Sequence, residues 1–158
     1  MRIYSDMGIA CTALRFFNVY GIGQNLDNLR QGMASIFLAM AIKDHRILVK
    51  GSKDRFRDFV YIDDVVNAIV KSLNRDKGFE VFNVCTGVPT TVEEVITTIV
   101  NKLPYTVGVT CSGGTPGDQF GIYGDFSKIK DSLGWSPVYT FEDGMGKMIN
   151  WARDELEN

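Results

Sequence analysis

An α/β fold with parallel strands is the architecture that the sequence predicts, on three observations. Residues 12–17 form an apolar run in which polarity does not alternate, and Phe79–Val84 is a second apolar run. Runs of this kind are typical of parallel strands that are covered on both faces. Between and after them, apolar residues recur at spacings of three and four, which indicates amphipathic helices. Strands that alternate with helices in this way favour an α/β architecture.

Composition narrows the classes of protein that the chain can represent. Its 158 residues have the length of about one ordinary domain, and 45% of them are apolar. A net charge of -2 without a basic tract argues against a nucleic-acid partner. No apolar run approaches the roughly 20 residues that a membrane span needs, and no signal peptide is visible, so a cytoplasmic protein without membrane contact is expected.

Cysteine and histidine content gives little support to metal or redox chemistry. The three cysteines are far apart and form no C-x-x-C pair, so free thiols are expected. His45 is the single histidine, which leaves neither a metal site nor a Ser-His-Asp triad to propose.

The first elements follow from local signals. Residues 1–7 are predicted to be the end of a helix that Gly8 stops, and the lack of an N-cap suggests a truncated start. After the strand at 12–17, the turn at Gly21 and Gly23 is not a G-x-G-x-x-G fingerprint because position 26 is leucine. A helix over 33–42 and a short strand over 47–51 come next.

The segment 51–73 organises the chain. Arg55 and Arg57 precede an extended apolar run over 59–62, and Asp63 and Asp64 are expected to cap the helix that follows. An arginine before such a segment can hold a phosphate with its forked donors, or both arginines can be solvated surface charges. One side of the predicted helix carries Val65, Val66, Ile69, Val70 and Leu73.

Later elements have recognisable boundaries. Thr91 with Glu94 fits a capping box for a helix that ends at Pro104. A strand over 105–110 and a loop over 112–118 follow. Asp125 is expected to cap a short helix that Gly134 ends, and Thr140 with Asp143 to begin the last helix.

Four segments carry a family resemblance. They are RDFVYIDDVVNAI at 57–69, LRFFNVYG at 14–21, FNVCTG at 82–87, and the tail PGD, DFSK and LGWSP at 116–118, 125–128 and 133–137. In this order they resemble the extended short-chain dehydrogenases/reductases, the NAD-dependent nucleotide-sugar epimerases and dehydratases. Within that family the UDP-glucose 4-epimerases are most similar. The resemblance covers nearly the whole chain but only the C-terminal half of the family's length.

The resemblance implies a fold and a division of the chain. The fold would be the last strands of a Rossmann-like parallel sheet with a small α/β C-terminal substrate-binding subdomain. Rossmann-side pieces at about 1–21 and 59–103 would interleave with substrate-subdomain pieces at about 22–58 and 104–158. Family members are often homodimers, which makes a homodimer of the full-length form an open possibility.

The resemblance also implies NAD as cofactor, a UDP-sugar as partner, and a set of binding residues. Phe17 would lie near the nicotinamide, and Asn18 would donate to the diphosphate unless it only caps the turn. Gly32 and Met33 would contact the nucleotide, and the backbone of Leu48, Val49 and Lys50 would pair with the base. Arg57 would bind the pyrophosphate, with Arg55 as the alternative to it. Asp118 would orient its loop or contact the ribose. Tyr61 is assigned equally to ligand contact and to core packing. Thr115 stands where many epimerases carry an arginine that holds the diphosphate.

Catalytic residues are not assigned. The family's general acid/base is the tyrosine of Tyr-x-x-x-Lys, and none of the six tyrosines here has a lysine four residues later. The expected function is therefore the substrate-binding portion of a UDP-glucose 4-epimerase-like enzyme, inactive alone. Whether the chain is an enzyme stays open. The alternatives are a fragment of a 4,6-dehydratase or decarboxylase, and a non-catalytic nucleotide-sugar-binding or complementation module.

Overall fold

Parallel strand pairs and the helices packed on them build the fold, which a computed structural model describes for residues 1–28, 32–76, 78–114, 117 and 119–157. Three strand pairs are parallel: β1 with β6, β2 with β5, and β3 with β8. A fourth group places β4 between β7, which is antiparallel to it, and β9, which is parallel. The α/β class with parallel strands is confirmed.

The elements have the following bounds. The helices are α1 Arg2–Asp6, α2 Met33–Asp44, α3 Ile62–Ser72, α4 Val92–Lys102, α5 Ser127–Leu133 and α6 Phe141–Glu157. The strands are β1 Cys11–Phe16, β2 Asn18–Tyr20, β3 Arg46–Lys50, β4 Phe56–Arg57, β5 Phe59–Tyr61, β6 Phe79–Val84, β7 Thr90–Thr91, β8 Gly108–Ser112 and β9 Gly121–Ile122.

The first predicted strand divides between two partners. Over β1 the chain pairs with β6, from Cys11 opposite Phe79 to Phe16 opposite Val84. The amide of Phe17 still donates to the Val84 carbonyl at 3.2 Å, but the amide of Asn18 donates to the Asp58 carbonyl at 3.0 Å. The chain therefore leaves β6 at Phe17 and joins β5, which places Asn18 at the crossing between the two strand pairs.

Two hydrophobic clusters form the interior. The larger one gathers the buried faces of α2, α4 and α6 around β3, with Leu38, Ile99 and Met148 fully buried. The smaller one joins buried residues of α3, α5, β5 and β6 around Phe82, and it includes the buried Trp135. The predicted apolar stripe of α4 is confirmed as core, since Val92, Val95, Ile96 and Ile99 are buried.

Several local signals are confirmed at atomic detail. The Thr91 hydroxyl accepts from the Glu94 amide at 3.1 Å and the Glu94 carboxylate accepts from the Thr91 amide at 2.6 Å, which completes the capping box. Gly134 ends α5 with a left-handed φ of 61°. Thr140 accepts from the Asp143 amide at 3.1 Å at the start of α6.

The predicted cap of α3 is wrong. The residue at the cap position is Tyr61, and no side chain caps this helix. Asp64 is instead buried, and its carboxylate accepts from the backbone amides of Val138 and Tyr139 at 3.0 and 3.1 Å. The Trp135 indole donates to the Asp64 carbonyl at 2.9 Å. The Asp64 carboxylate was expected to accept from amides at the start of α3. It accepts instead from backbone amides of the segment before α6.

Part of the predicted apolar burial is also absent within the described residues. On α3, Val65 is buried but Val70 is 54% exposed, and Leu73, directly after the helix, is 75% exposed. Phe16 at the end of β1 is 47% exposed, although both faces of this strand were expected to be covered. Ile3, on α1, is exposed as well. Both α1 and α3 contact β1, so these exposed side chains surround one strand.

The strand predicted over 105–110 begins later and does not alternate in burial. As β8 it spans Gly108–Ser112, and every residue in it is exposed. In the described part of the chain, no helix is long and apolar enough to cross a membrane.

Candidate functional site

Asn18 lies where the chain passes from β1 to β2, at the carboxyl end of β1. Its Nδ2 donates to the Asp58 carbonyl at 3.1 Å, beside the backbone bond that Asn18 makes to the same oxygen. One hydrogen of the amide is therefore used to hold β2 against β5. A side-chain amide has two hydrogens, so the predicted donation to a diphosphate is compatible with this bond and remains a prediction.

A cavity of about 210 Å³ opens beside Asn18. It is lined by Asn18, Val19, Tyr20, Gln24, Gly32, Ala34, Ser35 and Phe59. The structure thus brings Asn18 and Gly32, two of the predicted binding residues, to one cavity. Met33 is half-buried and packs against the larger hydrophobic cluster. Gly32 holds the N-cap position of α2 with extended backbone, and its carbonyl accepts from the Ser35 hydroxyl at 2.8 Å.

Gln24 is a candidate that sequence reasoning missed. Its Oε1 is buried and has no hydrogen-bond partner in the described part of the protein. It lines the cavity beside Asn18 and also a neighbouring one of about 240 Å³. An unpaired buried acceptor costs about 1–3 kcal/mol, which a bound hydroxyl or N–H group would recover. The available signal was its place in the loop beyond a parallel strand, where ligands collect.

The tyrosine in the cavity wall is not suited to proton transfer near neutral pH. Burial raises the pKa of Tyr20, and its phenol donates to the Phe141 carbonyl at 3.1 Å. Burial also raises the pKa of Tyr61, which is 1% exposed and packs on Tyr20 and Tyr139 with ring centroids at 5.6 and 4.7 Å. The structure therefore places Tyr61 in the core.

The segment predicted to bind the base is β3. Leu48, Val49 and Lys50 lie opposite Thr110, Cys111 and Ser112 of β8, so β8 occupies one edge of the strand. In the described part of the chain β3 pairs with no other strand. The backbone groups of its second edge are the ones that the predicted base pairing would use. Val49 is buried, whereas the side chain of Lys50 is exposed.

Arg55 has a structural role next to this segment. Its Nη2 donates to the Lys50 carbonyl, and its Nε donates to the Ser52 carbonyl at 2.9 Å. The guanidinium lies against Gly51, whose φ of 90° favours glycine. Arg55 thus fixes the turn that links β3 to β4.

Arg57 lies on β4, opposite Thr90 of β7 and Ile122 of β9. Its Nη1 donates to the carbonyl of Phe56 at 2.8 Å and to that of Phe120 at 3.4 Å. Partial burial lowers the pKa of Arg57, and the positive charge of Arg55 lowers it further. A nearby anion would offset both effects. Two other predicted positions of this region, Thr115 and Asp118, lie outside the described residues.

Phe17 lies against a second glycine. A Cβ at Gly124 would approach the Phe17 ring to 2.6 Å and the Cys85 sulfur to 2.5 Å. Only glycine therefore fits where the segment before α5 crosses the end of β1. Burial raises the pKa of the Cys85 thiol to about 12, which keeps it protonated. The NAD contact of Phe17 remains a prediction.

Asp58 is the second residue that sequence reasoning missed. It is fully buried, and its carboxylate accepts four hydrogen bonds. The donors are the amide and hydroxyl of Thr86, at 2.8 and 2.7 Å, and the amides of Gly87 and Gly124, at 2.8 and 3.1 Å. In the sequence Asp58 is one acidic residue between an arginine and an apolar run, and nothing local distinguishes it from a solvated charge.

The sequence also matches a known protein family. Residues 1–148 match the sequence model of the GDP-mannose 4,6-dehydratase family. A putative UDP-glucose 4-epimerase from Methanocaldococcus jannaschii is 30% identical over 155 residues, which are 98% of this chain and 50% of the relative. The chain thus spans about half the length of the curated relatives it matches.

Solved structures show the same fold. A UDP-glucose 4-epimerase from Thermotoga maritima, crystallised with UDP-glucose, superposes with a TM-score of 0.85 at 30% identity, over 92% of this chain and 46% of that one. The UDP-glucose 4-epimerase of Thermus thermophilus, in complex with NAD, gives a TM-score of 0.82 at 26% identity, over 96% of this chain and 49% of that one.

Proposed function

This chain belongs to the NAD-dependent nucleotide-sugar epimerase/dehydratase family, and we propose that it forms the nucleotide-sugar-binding portion of a UDP-glucose 4-epimerase-like enzyme. The observation that carries the proposal is the convergence of Asn18, Gln24 and Gly32 on one cavity. Asn18 donates to the carbonyl of Asp58, the residue after Arg57. This hydrogen bond links the cavity to β4, the strand that carries the Arg57 guanidinium.

The proposed ligand is a UDP-sugar, and each part of it has a candidate partner. Arg57 neutralises the diphosphate with its forked donors, and the anion restores the guanidinium pKa that burial and Arg55 lower. The edge of β3 that pairs with no described strand binds the base through backbone groups. Gln24 Oε1 accepts from a hydroxyl or N–H of the ligand and so gains a partner, which it lacks among the described residues.

NAD is the cofactor of the family, and this chain supplies one edge of a site for it. Phe17, packed against Gly124, is the residue assigned to that edge. The sequence contains neither a G-x-x-G-x-x-G loop nor a Tyr-x-x-x-Lys pair. These residues do not make a complete dinucleotide site, so no chemical step is assigned to this chain. We expect it to bind the substrate and to be inactive alone.

The runner-up within the same family is a 4,6-dehydratase or decarboxylase. The match to the GDP-mannose 4,6-dehydratase model favours it. Both readings share the binding residues of this chain, because the proposed contacts involve the nucleotide and diphosphate rather than the reacting carbon.

Removal of the Arg57 guanidinium tests the binding proposal. In Arg57→Ala we expect the Kd for UDP-glucose, measured by calorimetry, to rise about tenfold or more, since a charge-assisted hydrogen bond contributes about 1.5–3 kcal/mol. Lys128→Ala is the matched control, because it removes a positive charge that pairs with Glu80 on β6 at 2.5 Å. Equal affinity in wild type and Arg57→Ala, or no binding by either, would contradict the proposal.

A second candidate function is complementation by a dinucleotide-binding α/β half that this sequence does not contain. The exposed apolar side chains around β1 favour it, because Leu73, Ile3 and Phe16 would be covered by such a partner. The test mixes the chain with the separately expressed first half of the Methanocaldococcus jannaschii relative. A 1:1 complex in sedimentation, weakened by the double substitution Val70→Glu and Leu73→Glu, is expected; two independent species would refute it.

A further inference from the structure

We propose that Asp58 is a positioning residue for the nucleotide-sugar site. Its buried carboxylate holds the segment 119–124 against β4, so that Arg57 is presented to the ligand. The inference rests on the proposed binding function and assigns a part in it to a residue that need not touch the ligand.

The two oxygens of the Asp58 carboxylate accept hydrogen bonds from different donors. Oδ1 accepts from the amide and the hydroxyl of Thr86, at the turn after β6. Oδ2 accepts from the amides of Gly87 and Gly124, at 2.8 and 3.1 Å. Through Oδ2 the carboxylate therefore connects the turn after β6 to the segment that precedes α5.

The segment 119–124 is held to β4 at two further points. The Phe120 carbonyl accepts from the Phe56 amide at 3.1 Å and from Arg57 Nη1 at 3.4 Å. In the β4–β9 pairing, Arg57 lies opposite Ile122. Phe120 and Gly124 are thus the two anchored ends of one short stretch, with the Arg57 guanidinium bonded at the first end and the Asp58 carboxylate at the second.

The backbone of Asp58 adds a third connection. Its carbonyl accepts from both the amide and the side-chain Nδ2 of Asn18, at 3.0 and 3.1 Å. Asp58 consequently connects three parts of the site. They are β2, which carries Asn18, β4, which carries Arg57, and the segment 119–124. A site tolerates displacements of only about 0.5 Å, so the residue that joins its supports determines its geometry.

A purely structural role is the competing explanation. A buried carboxylate is costly unless hydrogen bonds satisfy it, so its loss destabilises the fold wherever it lies. Asp64 provides the matched case, because it is also buried and also accepts from backbone amides. Its two amide donors, Val138 and Tyr139, lie in the segment before α6. The two explanations differ in what they predict for affinity.

The experiment compares Asp58→Ala with Asp64→Ala, using UDP-glucose as the probe and a temperature at which circular dichroism shows all variants folded. We expect Asp58→Ala to raise the Kd about tenfold and Asp64→Ala to leave it within about twofold. Amide hydrogen exchange should accelerate at Gly87 and Gly124 in Asp58→Ala, and at Val138 and Tyr139 in Asp64→Ala. Wild-type affinity in Asp58→Ala, or equal weakening in both variants, would overturn the inference.

Gly124→Ala is the second variant, and it decides the matter if Asp58→Ala does not fold. Its Cβ would displace residue 124 from the Cys85 sulfur and the Phe17 ring while the carboxylate stays intact. We expect the same loss of affinity and faster exchange in the segment 119–124; wild-type affinity would overturn the inference. If wild type itself does not bind UDP-glucose, the proposed function fails, and unchanged exchange at Gly124 in Asp58→Ala would separately refute the anchoring.

Discussion

At the scale of single residues, neighbours of the same type have different roles. Arg55 holds the turn at Gly51 through the carbonyls of Lys50 and Ser52, whereas Arg57 lies on β4 beside the segment 119–124. The difference arises from which carbonyls the fold brings within reach of each guanidinium. Arg57 is accordingly the residue of the pair that we assign to the diphosphate.

The buried Asp64 gives a prediction about pH. Burial raises its pKa, and the amide donors of Tyr139 and Val138 only partly oppose this. Between the ordinary pKa of an aspartate and the raised pKa in the fold, the folded state holds more protons than the unfolded chain. The free energy of unfolding that Asp64 contributes is therefore present at low pH and falls as the pH rises through this interval.

Urea unfolding of wild type and Asp64→Asn measures this contribution. From about pH 4 to about pH 7, we expect the stability advantage of wild type over the variant to shrink. The comparison cancels the pH dependence that the other carboxylates contribute, because both proteins carry them. One of these is Glu80, whose pKa is lowered by its hydrogen bond and ion pair with Lys128. An advantage that grows with pH would show that the two amide bonds dominate over burial.

At the scale of elements, α4 offers the clearest test of a local signal. Thr91→Ala removes the hydroxyl that accepts from the Glu94 amide and should lower the free energy of unfolding by about 1 kcal/mol. Thr97→Ala, at an exposed position in the middle of the same helix, should be neutral or slightly stabilising because alanine favours helices. Equal effects of the two substitutions in urea unfolding would contradict a role for the cap.

Elements governed by local chemistry were predictable from the sequence, and elements created by distant contacts were not. The Thr91–Glu94 capping box and the stop at Gly134 depend on residues within one helical turn, and both are confirmed. The expected cap at Asp64 failed because its donors come from Val138 and Tyr139. The two-residue strands β4 and β9 depend on their pairing with each other, which the hydrophobic periodicity of the sequence does not predict.

The same distinction applies to the candidate site. Asn18, Gly32 and Arg57 were assigned through the family resemblance, and the structure places the first two at one cavity. Gln24 and Asp58 were not predicted, because their features depend on packing rather than on sequence spacing. These features are an acceptor with no partner among the described residues and a carboxylate with four donors. A sequence can show where a loop or a charge lies, but not which distant donors reach it.

At the scale of the whole molecule, the site and the exposed apolar face belong to different regions. The cavity lies among β2, β5 and the start of α2, in contact with the larger hydrophobic cluster. The exposed side chains of α1, β1 and α3 lie around β1. Such an arrangement suits a portion that binds substrate on one side and meets the remainder of an enzyme on another.

The most direct test of the binding claim is a titration of the isotope-labelled chain with UDP-glucose, in which the amide chemical shifts are measured by NMR. We predict saturable changes at Asn18, at Gly32, over Leu48–Lys50, at Arg57 and in the segment 119–124, and also at the side-chain amide of Gln24. Signals of α3 should not move. An unchanged spectrum at millimolar ligand, or changes restricted to α3 and α5, would contradict the assignment of this chain as a nucleotide-sugar-binding portion.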